Sequence, residues 1–423
     1  MKRNPWAWIP SLYFTEGLPY VAVMTISVIM YKKLEISNTD IALYTSWLYL
    51  PWVIKPLWSP LIDIFGTKRA WITSLQFVLG VAVAGVAFTI PTDNFFQYSL
   101  AFFWLMAFSS ATHDIAADGF YMIGLEKHQQ AFFVGIRSTF YRLAMITGQG
   151  LIIMLAGFLE LQYTPKIAWS ITIGVLAAML IIAFVWHQFA IPKSPNDKAV
   201  PRIAGESPFN SFFLTFILFF RKKKIGLIIA FLLLYRLGEA QLVKLASPFL
   251  LDNKTVGGLG LETAQVGLIY GTIGVIALTL GGILGGVVAS KNGLKHWLSW
   301  MLLAINLPNA AYIFLSTFTP ESFIVISSAV AIEQFGYGFG FTAYMLYMIY
   351  ISEGEHKTAH FAISTGFMAL GMMLPGMLSG WLQEIIGYQN FFTWVLICAI
   401  PGFIVAKFIP LDPNFGKKKE SQE

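Results

Sequence analysis

Long apolar blocks, separated by short polar segments, occupy almost the whole chain. Each block is long enough for a helix to cross about 30 Å of hydrocarbon, and the strict alternation typical of transmembrane β-strands is absent. The pattern therefore predicts an all-α polytopic membrane protein. Its twelve predicted spans are residues 6–31, 39–62, 70–90, 96–122, 131–158, 166–190, 225–250, 263–289, 296–318, 321–350, 360–385 and 390–409.

The composition supports this class and removes several others. Of 423 residues, 57% are hydrophobic and only 12% are charged, whereas about 25% of a soluble domain is charged. The single cysteine, Cys398, leaves no disulfide or cysteine metal site to build. No phosphate-binding loop is present, and His113 points about 100° away from Asp114 on a helix. We therefore expect no cofactor, no metal and no ATP-driven step.

The distribution of basic residues predicts the orientation in the membrane. Most of the 28 lysines and arginines fall in the loops on the N-terminal side, and the opposite side carries only Lys32, Lys33, Lys166 and Lys254. Because basic loops stay in the cytoplasm, both termini are expected there, with the protein in a bacterial inner membrane. Anionic lipid headgroups then account for the net charge of +6, and nucleic acid is not expected as a partner.

Two pairs of similar segments indicate an internal duplication. DIFGTKR (63–69) follows the second span and SKNGLKH (290–296) follows the eighth; HQQA (128–131) and HKTA (356–359) are separated by nearly the same interval. Such repeats are typical of transporters built from two related halves. We predict a six-helix half at 1–190, a flexible cytoplasmic linker at 191–224, a second six-helix half at 225–410 and a cytoplasmic tail at 411–423.

The segment after the second span resembles the cytoplasmic loop motif of the major facilitator superfamily. It has the form Asp63-x-x-Gly66-x-Lys68-Arg69. Gly66 permits a tight turn, and Asp63 can interact with a helix end or a basic group. The resemblance implies that these four residues form a cytoplasmic gate.

Five further segments resemble the AmpG-type muropeptide permeases and the related acetyl-coenzyme A transporters. They are YFTEGLP (13–19), KPLWSPLID (55–63), SATHDIAAD (110–118), YRLGEA (235–240), and GWLQ (380–383) with GYQNFF (387–392). The resemblance implies the major facilitator fold, with twelve helices in two halves. It also implies a monomeric, non-enzymatic, proton-coupled importer of an amphiphilic or glycosylated anionic solute, with anhydromuropeptides as the leading candidate. His113 and Lys244 depart from the family pattern.

Ionisable residues inside spans are expensive, at about 2.5–3.5 kcal/mol or more each, and are functional candidates by default. In the first half they are Glu16, Lys55, Asp114, Asp118, Arg137 and Arg142. Asp114 and Asp118 are four residues apart and share a helix face, so in a partly dry cavity one of them can hold a proton near neutral pH. Proton coupling by this pair and Glu16 is one interpretation. Structural ion pairs, with Arg137 and Arg142 for the aspartates and with Lys55 for Glu16, are the alternative.

The second half contributes Arg236, Glu239, Lys244 and Glu333. Arg236 and Glu239 can pair within the seventh span, and with Lys244 they are candidates for binding an anionic solute. The alternatives are a self-neutralised pair, a lysine that reaches the membrane interface, and a Glu333 carboxyl that serves helix packing.

Aromatic residues accompany these charges, among them Tyr13, Tyr141 and Tyr235. Rings beside polar groups can hold a sugar face, although aromatics are also common in spans for packing alone. Gly281-Gly282 and Gly285-Gly286 form small-xxx-small pairs that predict close helix packing in the eighth span.

Two other classes of function fit parts of the pattern. One is import of another glycan, a siderophore or an acyl-carrier metabolite. The other is a membrane enzyme that acts on lipid-linked sugars with Asp114 and Asp118 as its acid pair. The repeat and the lack of a large catalytic loop disfavour the enzyme.

Overall fold

A computed structural model describes residues 4–195, 197, 208–354 and 357–416, apart from a few side chains that include Asp63. Every regular element in these residues is a helix, which confirms the predicted all-α class. Sixteen helical segments are labelled here in chain order, and most begin or end within three residues of a predicted span.

The first helix, α1 (Pro5–Lys33), matches the first predicted span. The second span is different, because it is divided into α2 (Asn38–Trp47), α3 (Leu50–Ile54) and α4 (Ser59–Ile64). Three prolines, Pro51, Pro56 and Pro60, lie in this stretch. Each proline removes a backbone donor and crowds the preceding turn, so a continuous helix cannot form there.

The next helices follow the predicted spans closely. They are α5 (Lys68–Thr89), α6 (Phe95–Gly124), α7 (residues 127–160) and α8 (Pro165–Ala190). One further helix, α9 (Pro208–Phe220), lies within the segment that the sequence analysis assigns to a flexible linker. That segment is therefore partly helical.

The remaining helices form the C-terminal part of the chain. They are α10 (Ile225–Leu234), α11 (Leu237–Leu251), α12 (Thr263–Asn292), α13 (Leu294–Phe318), α14 (Phe323–Ser352), α15 (Lys357–Ile397) and α16 (Ala399–Ala406). Within α15, Gly387 has φ +74°, and this break falls between the last two predicted spans.

Nine helical stretches in the described part of the chain are long and apolar enough to cross a membrane. The broken second span and α6 are not among the nine, and α15 with α16 counts as one stretch. The membrane class is thus confirmed, whereas the number twelve remains a prediction.

The helices group into two compact units. Unit 1 contains Met1–Glu35, Ile54–Asn210 and Thr263–Gly271, and its core includes Trp8, Leu12 and Phe120. Unit 2 contains Ile36–Val53, Ser211–Glu262 and Thr272–Glu423, and its core includes Phe231 and Tyr344. The units differ from the predicted halves in the assignment of residues 36–53 and 263–271.

Glycines allow α12 and α14 of unit 2 to approach closely. A Cβ atom on Gly281 would lie 2.1 Å from the carbonyl oxygen of Phe335, and one on Gly338 would lie 1.9 Å from that of Leu278. Only glycine permits such backbone contact. The small-residue packing predicted for the eighth span is confirmed at Gly281 and Gly285, whereas Gly286 is exposed and a Cβ atom there would meet nothing within 4 Å.

Candidate transport site

The first cluster of intramembrane charges lies in unit 1, where α1, α6 and α7 meet residues 54–57. Gly17 permits the approach of α1 to α7, because a Cβ atom there would lie 2.7 Å from the Cβ of Ala144 and 3.2 Å from the carbonyl oxygen of Tyr141. Pro19 follows within the same helix. This packing places Glu16 inside the unit, where its side chain is 7% exposed.

Asp118 is the most highly connected carboxylate of this cluster. The guanidinium of Arg137 lies 2.8 Å from its Oδ1 atom, and the Tyr13 hydroxyl donates to the same oxygen at 3.2 Å. Arg137 also lies over the rings of Tyr13 and Tyr121, at 4.4 and 5.1 Å from their centroids. The pair remains partly open to solvent, since the side chains of Arg137 and Asp118 are 29% and 47% exposed.

Asp114 and Glu16 complete the cluster. The ammonium of Lys55 lies 3.5 Å from Oδ2 of Asp114. Glu16 is close enough to both aspartates, Lys55 and Arg137 for their charges to act on it. Its Oε2 atom is buried, and no hydrogen-bond partner for it is found among the described residues. Three carboxylates therefore share a small space with two paired cations, and Glu16 is the most buried of the three.

The ion pairs can be compared with the structural alternative considered for the sequence. Asp118 pairs with Arg137 as that alternative required, and Lys55 is a cation beside Asp114. Arg142 lies partly buried on α7.

The second cluster lies in unit 2, at the junction of α10 and α11. Arg236 and Glu239 form the predicted pair: Nε of Arg236 donates to Oε2 of Glu239 at 2.9 Å, and both side chains are at most 8% exposed. Arg236 also donates to the hydroxyl of Tyr337 at 2.7 Å. The other carboxylate oxygen of Glu239 is buried and has no hydrogen-bond partner.

Tyr235 and Glu333 lie near this pair. The Tyr235 hydroxyl donates to the carbonyl oxygen of Gly340 at 2.8 Å, and its ring stacks on Tyr344. Glu333 on α14 is buried and accepts a hydrogen bond from Gln334 at 3.0 Å. It lies close enough to Glu239 for the two charges to interact. Tyr235 is thus held in place by a hydrogen bond and ring stacking, and Glu333 is a buried acid.

Lys244 lies two turns after Arg236 on α11 and is 1% exposed. Its ammonium donates to Oγ1 of Thr45 at 2.9 Å and lies 5.1 Å from the ring centroid of Tyr49. The alternative in which Lys244 reaches the membrane interface is therefore wrong, because the side chain is enclosed by protein.

The predicted gate segment forms a tight turn before α5. Gly66 has φ +72°, a conformation that favours glycine. Asp197 accepts hydrogen bonds from the backbone amides of Lys68 and Arg69 at 2.7 and 2.9 Å, so its negative charge lies at the N-terminus of α5. The Arg69 guanidinium donates to the carbonyl oxygens of Gln188 and Ile191. The Asp63 side chain lies outside the described part.

Two polar networks in the described residues were not predicted from the sequence. In unit 2 the amide nitrogen of Asn38 donates to Gln383 at 2.7 Å and to the Tyr388 hydroxyl at 2.9 Å, and Tyr388 donates to Asp252 at 2.6 Å. Polar residues at the end of a span look like an ordinary loop in sequence. The only available signal was that Gln383 and Tyr388 lie in segments that carry the family resemblance.

The second missed network is buried in unit 1 and includes His113. The side chain of Gln76 bridges Nε2 of His113 at 3.1 Å and Nδ1 of His187 at 3.0 Å, and Nε2 of His187 lies 2.9 Å from Oγ of Ser11. His113 therefore belongs to an interhelical hydrogen-bond chain that faces away from the acidic cluster. Its partners are distant in sequence, so no spacing could reveal them.

Comparisons with known proteins agree with this architecture. The anhydromuropeptide permease of Escherichia coli K12 is 26% identical over 404 residues, which cover 93% of this chain and 77% of the permease. A Rickettsia conorii protein named as transporter AmpG 4 is 25% identical over 417 residues, covering 95% and 96%. The crystal structure of a D-xylose-proton symporter matches with a TM-score of 0.67 at 14% identity, covering 95% and 97%, which shows a shared fold.

The sequence profile of the Major Facilitator Superfamily matches residues 11–352, most of the chain. The profile and the relatives confirm that this is a multi-pass membrane transporter of a solute and not an enzyme. The chain belongs to the Major Facilitator Superfamily.

Proposed function

We propose that this transporter imports anhydromuropeptides released by cell-wall turnover, and that protons drive the import. The observation that carries the substrate is the similarity to the Escherichia coli anhydromuropeptide permease along 93% of the chain. The predicted orientation, with both termini in the cytoplasm of a bacterial inner membrane, is part of the proposal, as is a monomeric state. Alternating access of two six-helix halves would carry the solute across.

The acidic cluster of unit 1 supports proton coupling. Glu16 is buried, and it lies close enough to Asp114 and Asp118 for their charges to act on it. Arg137 pairs directly with Asp118, and within the described residues Oε2 of Glu16 has no hydrogen-bond partner, so a carboxyl group remains for proton exchange. We assign proton coupling to Glu16, Asp114 and Asp118, with Lys55 and Arg137 as their counter-ions.

The remaining candidates receive roles in binding and gating. The proposed substrate-binding residues include three charged side chains of unit 2, namely Arg236, Glu239 and Glu333. They also include three aromatic rings and one cation near the charged clusters, namely Tyr13, Tyr141, Tyr235 and Arg142. Gly66, Lys68, Arg69 and Asp63 are proposed as the cytoplasmic gate. The turn at Gly66 and the capping of α5 by Asp197 support a defined loop geometry there.

Uptake by proteoliposomes tests the substrate. Wild-type protein is expected to accumulate labelled GlcNAc-anhydroMurNAc-tripeptide when an inward proton gradient is imposed, and to show only slow equilibration without it. Protein-free liposomes provide the background. No uptake by folded protein reconstituted in both orientations would exclude the muropeptide and favour another glycan, a siderophore or an acyl-carrier metabolite. Conversion of a lipid-linked sugar without solute movement would favour the enzyme.

Replacement of Asp118 by Asn tests the role of the acidic cluster. The amide cannot bind a proton and leaves Arg137 without its ion-pair partner. We expect gradient-driven uptake to fall at least about tenfold, which corresponds to about 1.4 kcal/mol. Asp93→Asn, in an exposed loop, is the matched control and should retain wild-type uptake. Equal uptake by the two variants would remove Asp118 from the mechanism.

A further inference from the structure

Lys244 is an intramembrane cation to which the mechanism above assigns no partner. Its side chain is 1% exposed, and its ammonium contacts the Thr45 hydroxyl and the face of Tyr49. Within the part of the chain that the structure describes, no carboxylate pairs with it. Arg236, eight residues earlier at the α10–α11 junction, is paired with Glu239. Lys244 therefore lacks a counter-ion among the described residues.

Such a charge is expensive to keep. An ammonium at the centre of a span costs about 2.5–3.5 kcal/mol, and a neutral hydroxyl and a ring compensate only part of that cost. The ammonium has three N–H donors, of which Thr45 accepts one. The hydroxyl of Thr45 is itself engaged, because it donates to the carbonyl oxygen of Ile41. Donor capacity on Lys244 thus remains for a ligand.

A second unused polar group lies beside this lysine. Ser46 is 0% exposed, and within the described part of the chain its hydroxyl has no hydrogen-bond partner. Both side chains pack against Gly376 of α15: a Cβ atom built there would lie 2.7 Å from Oγ of Ser46 and 3.3 Å from Cγ of Lys244. The two residues therefore meet at one glycine, and the described residues leave the Ser46 hydroxyl and the remaining donors of the Lys244 ammonium unsatisfied.

We propose that Lys244 and Ser46 form a buried subsite that binds a carboxylate group of the transported solute, with Tyr49 as its apolar wall. A carboxylate would supply the counter-ion that Lys244 lacks. Its two oxygens can accept hydrogen bonds from the Lys244 ammonium and the Ser46 hydroxyl at once. All these residues belong to unit 2. The carboxylate specificity stands on this geometry alone, whereas the assignment of that carboxylate to a muropeptide rests on the proposed function.

Thermal unfolding with a small carboxylate tests the subsite. The full-length protein is melted with sodium N-acetylglycine or with the same concentration of N-acetylglycinamide at matched ionic strength. The acid is expected to raise the Tm of the wild type by several degrees more than the amide, because binding to the folded state stabilises it. Lys244→Met should lose this difference, and Lys254→Met, an exposed lysine, should keep it.

The outcomes separate the subsite from a purely structural lysine. Lys244→Met is expected to fold, because it removes a cation without a counter-ion and leaves no carboxylate of the described chain without its partner. Ser46→Ala provides a second variant, in which the difference between acid and amide should shrink by more than half. The proposal is overturned if the wild type does not distinguish acid from amide, or if Lys244→Met distinguishes them as the wild type does.

A second arm identifies the solute. Binding of GlcNAc-anhydroMurNAc-tripeptide is compared with binding of its fully amidated form. We expect the free acid to bind at least about tenfold more tightly to the wild type, and this ratio to approach one in Lys244→Met. If N-acetylglycine discriminates as expected but the muropeptide does not bind, the subsite stands and the proposed substrate fails.

Discussion

Replacing Arg236 by Met is expected to destabilise the protein strongly and to abolish transport. Arg236 is the cation paired with Glu239, whose side chain is 0% exposed. The substitution leaves a buried carboxylate with no partner, and loss of one member of a buried pair costs about 3–5 kcal/mol. Thermal unfolding in detergent and the yield of monodisperse protein measure the effect.

An exposed pair supplies the matched control. Lys254 lies 2.6 Å from Glu321, closer than Arg236 is to Glu239, but their side chains are 48% and 86% exposed. Because surface pairs contribute at most about 1 kcal/mol, Lys254→Met should melt near the wild type. The double variant Arg236→Met, Glu239→Leu should recover most of the stability without transport. Equal Tm values for the Arg236 and Lys254 variants would contradict this account of the buried pair.

Gly281→Leu is expected to disrupt the packing of α12 against α14. A Cβ atom at Gly281 would lie 2.1 Å from the Phe335 carbonyl oxygen, so even the first added carbon forces the two backbones apart. Overpacking of this kind costs about 1–3 kcal/mol and can cost more when backbone must move. We expect a large fall in Tm and in folded yield.

The same helix offers the control for this substitution. Gly286 is exposed, and a Cβ atom there meets nothing within 4 Å. Gly286→Leu therefore adds the same side chain to the same helix without a clash, and its Tm should stay near that of the wild type. If Gly281→Leu is equally well tolerated, the close approach of the two helices does not depend on glycine.

The apolar blocks predicted the helices well because a span must satisfy its own backbone within the membrane. The exception is the second span, where Pro51, Pro56 and Pro60 divide the helix. A proline changes the mean hydropathy of a segment only slightly, although it removes a backbone hydrogen-bond donor from the helix. The helix Pro208–Phe220 is the opposite case, because it lies in a segment for which no helix was predicted. The charged residues around it made its apolar stretch look like part of a linker.

The intramembrane charges were visible in the sequence, but only some of their partners were. Arg236 and Glu239 are three residues apart, so their pairing follows from helical spacing. Lys55 and Asp114 lie on different segments, and no spacing rule predicts that they come together. For the same reason, the setting of Lys244 beside Thr45, Ser46 and Gly376 required the tertiary structure.

A proton is proposed to move with the muropeptide, and a lumenal pH indicator in proteoliposomes reports this movement. Addition of GlcNAc-anhydroMurNAc-tripeptide to wild-type proteoliposomes, with no imposed gradient, should acidify the lumen in step with uptake. Glu16→Gln should exchange the solute across the membrane without any acidification, because the buried carboxyl no longer carries a proton. Muropeptide uptake by the wild type at constant lumenal pH would contradict proton coupling.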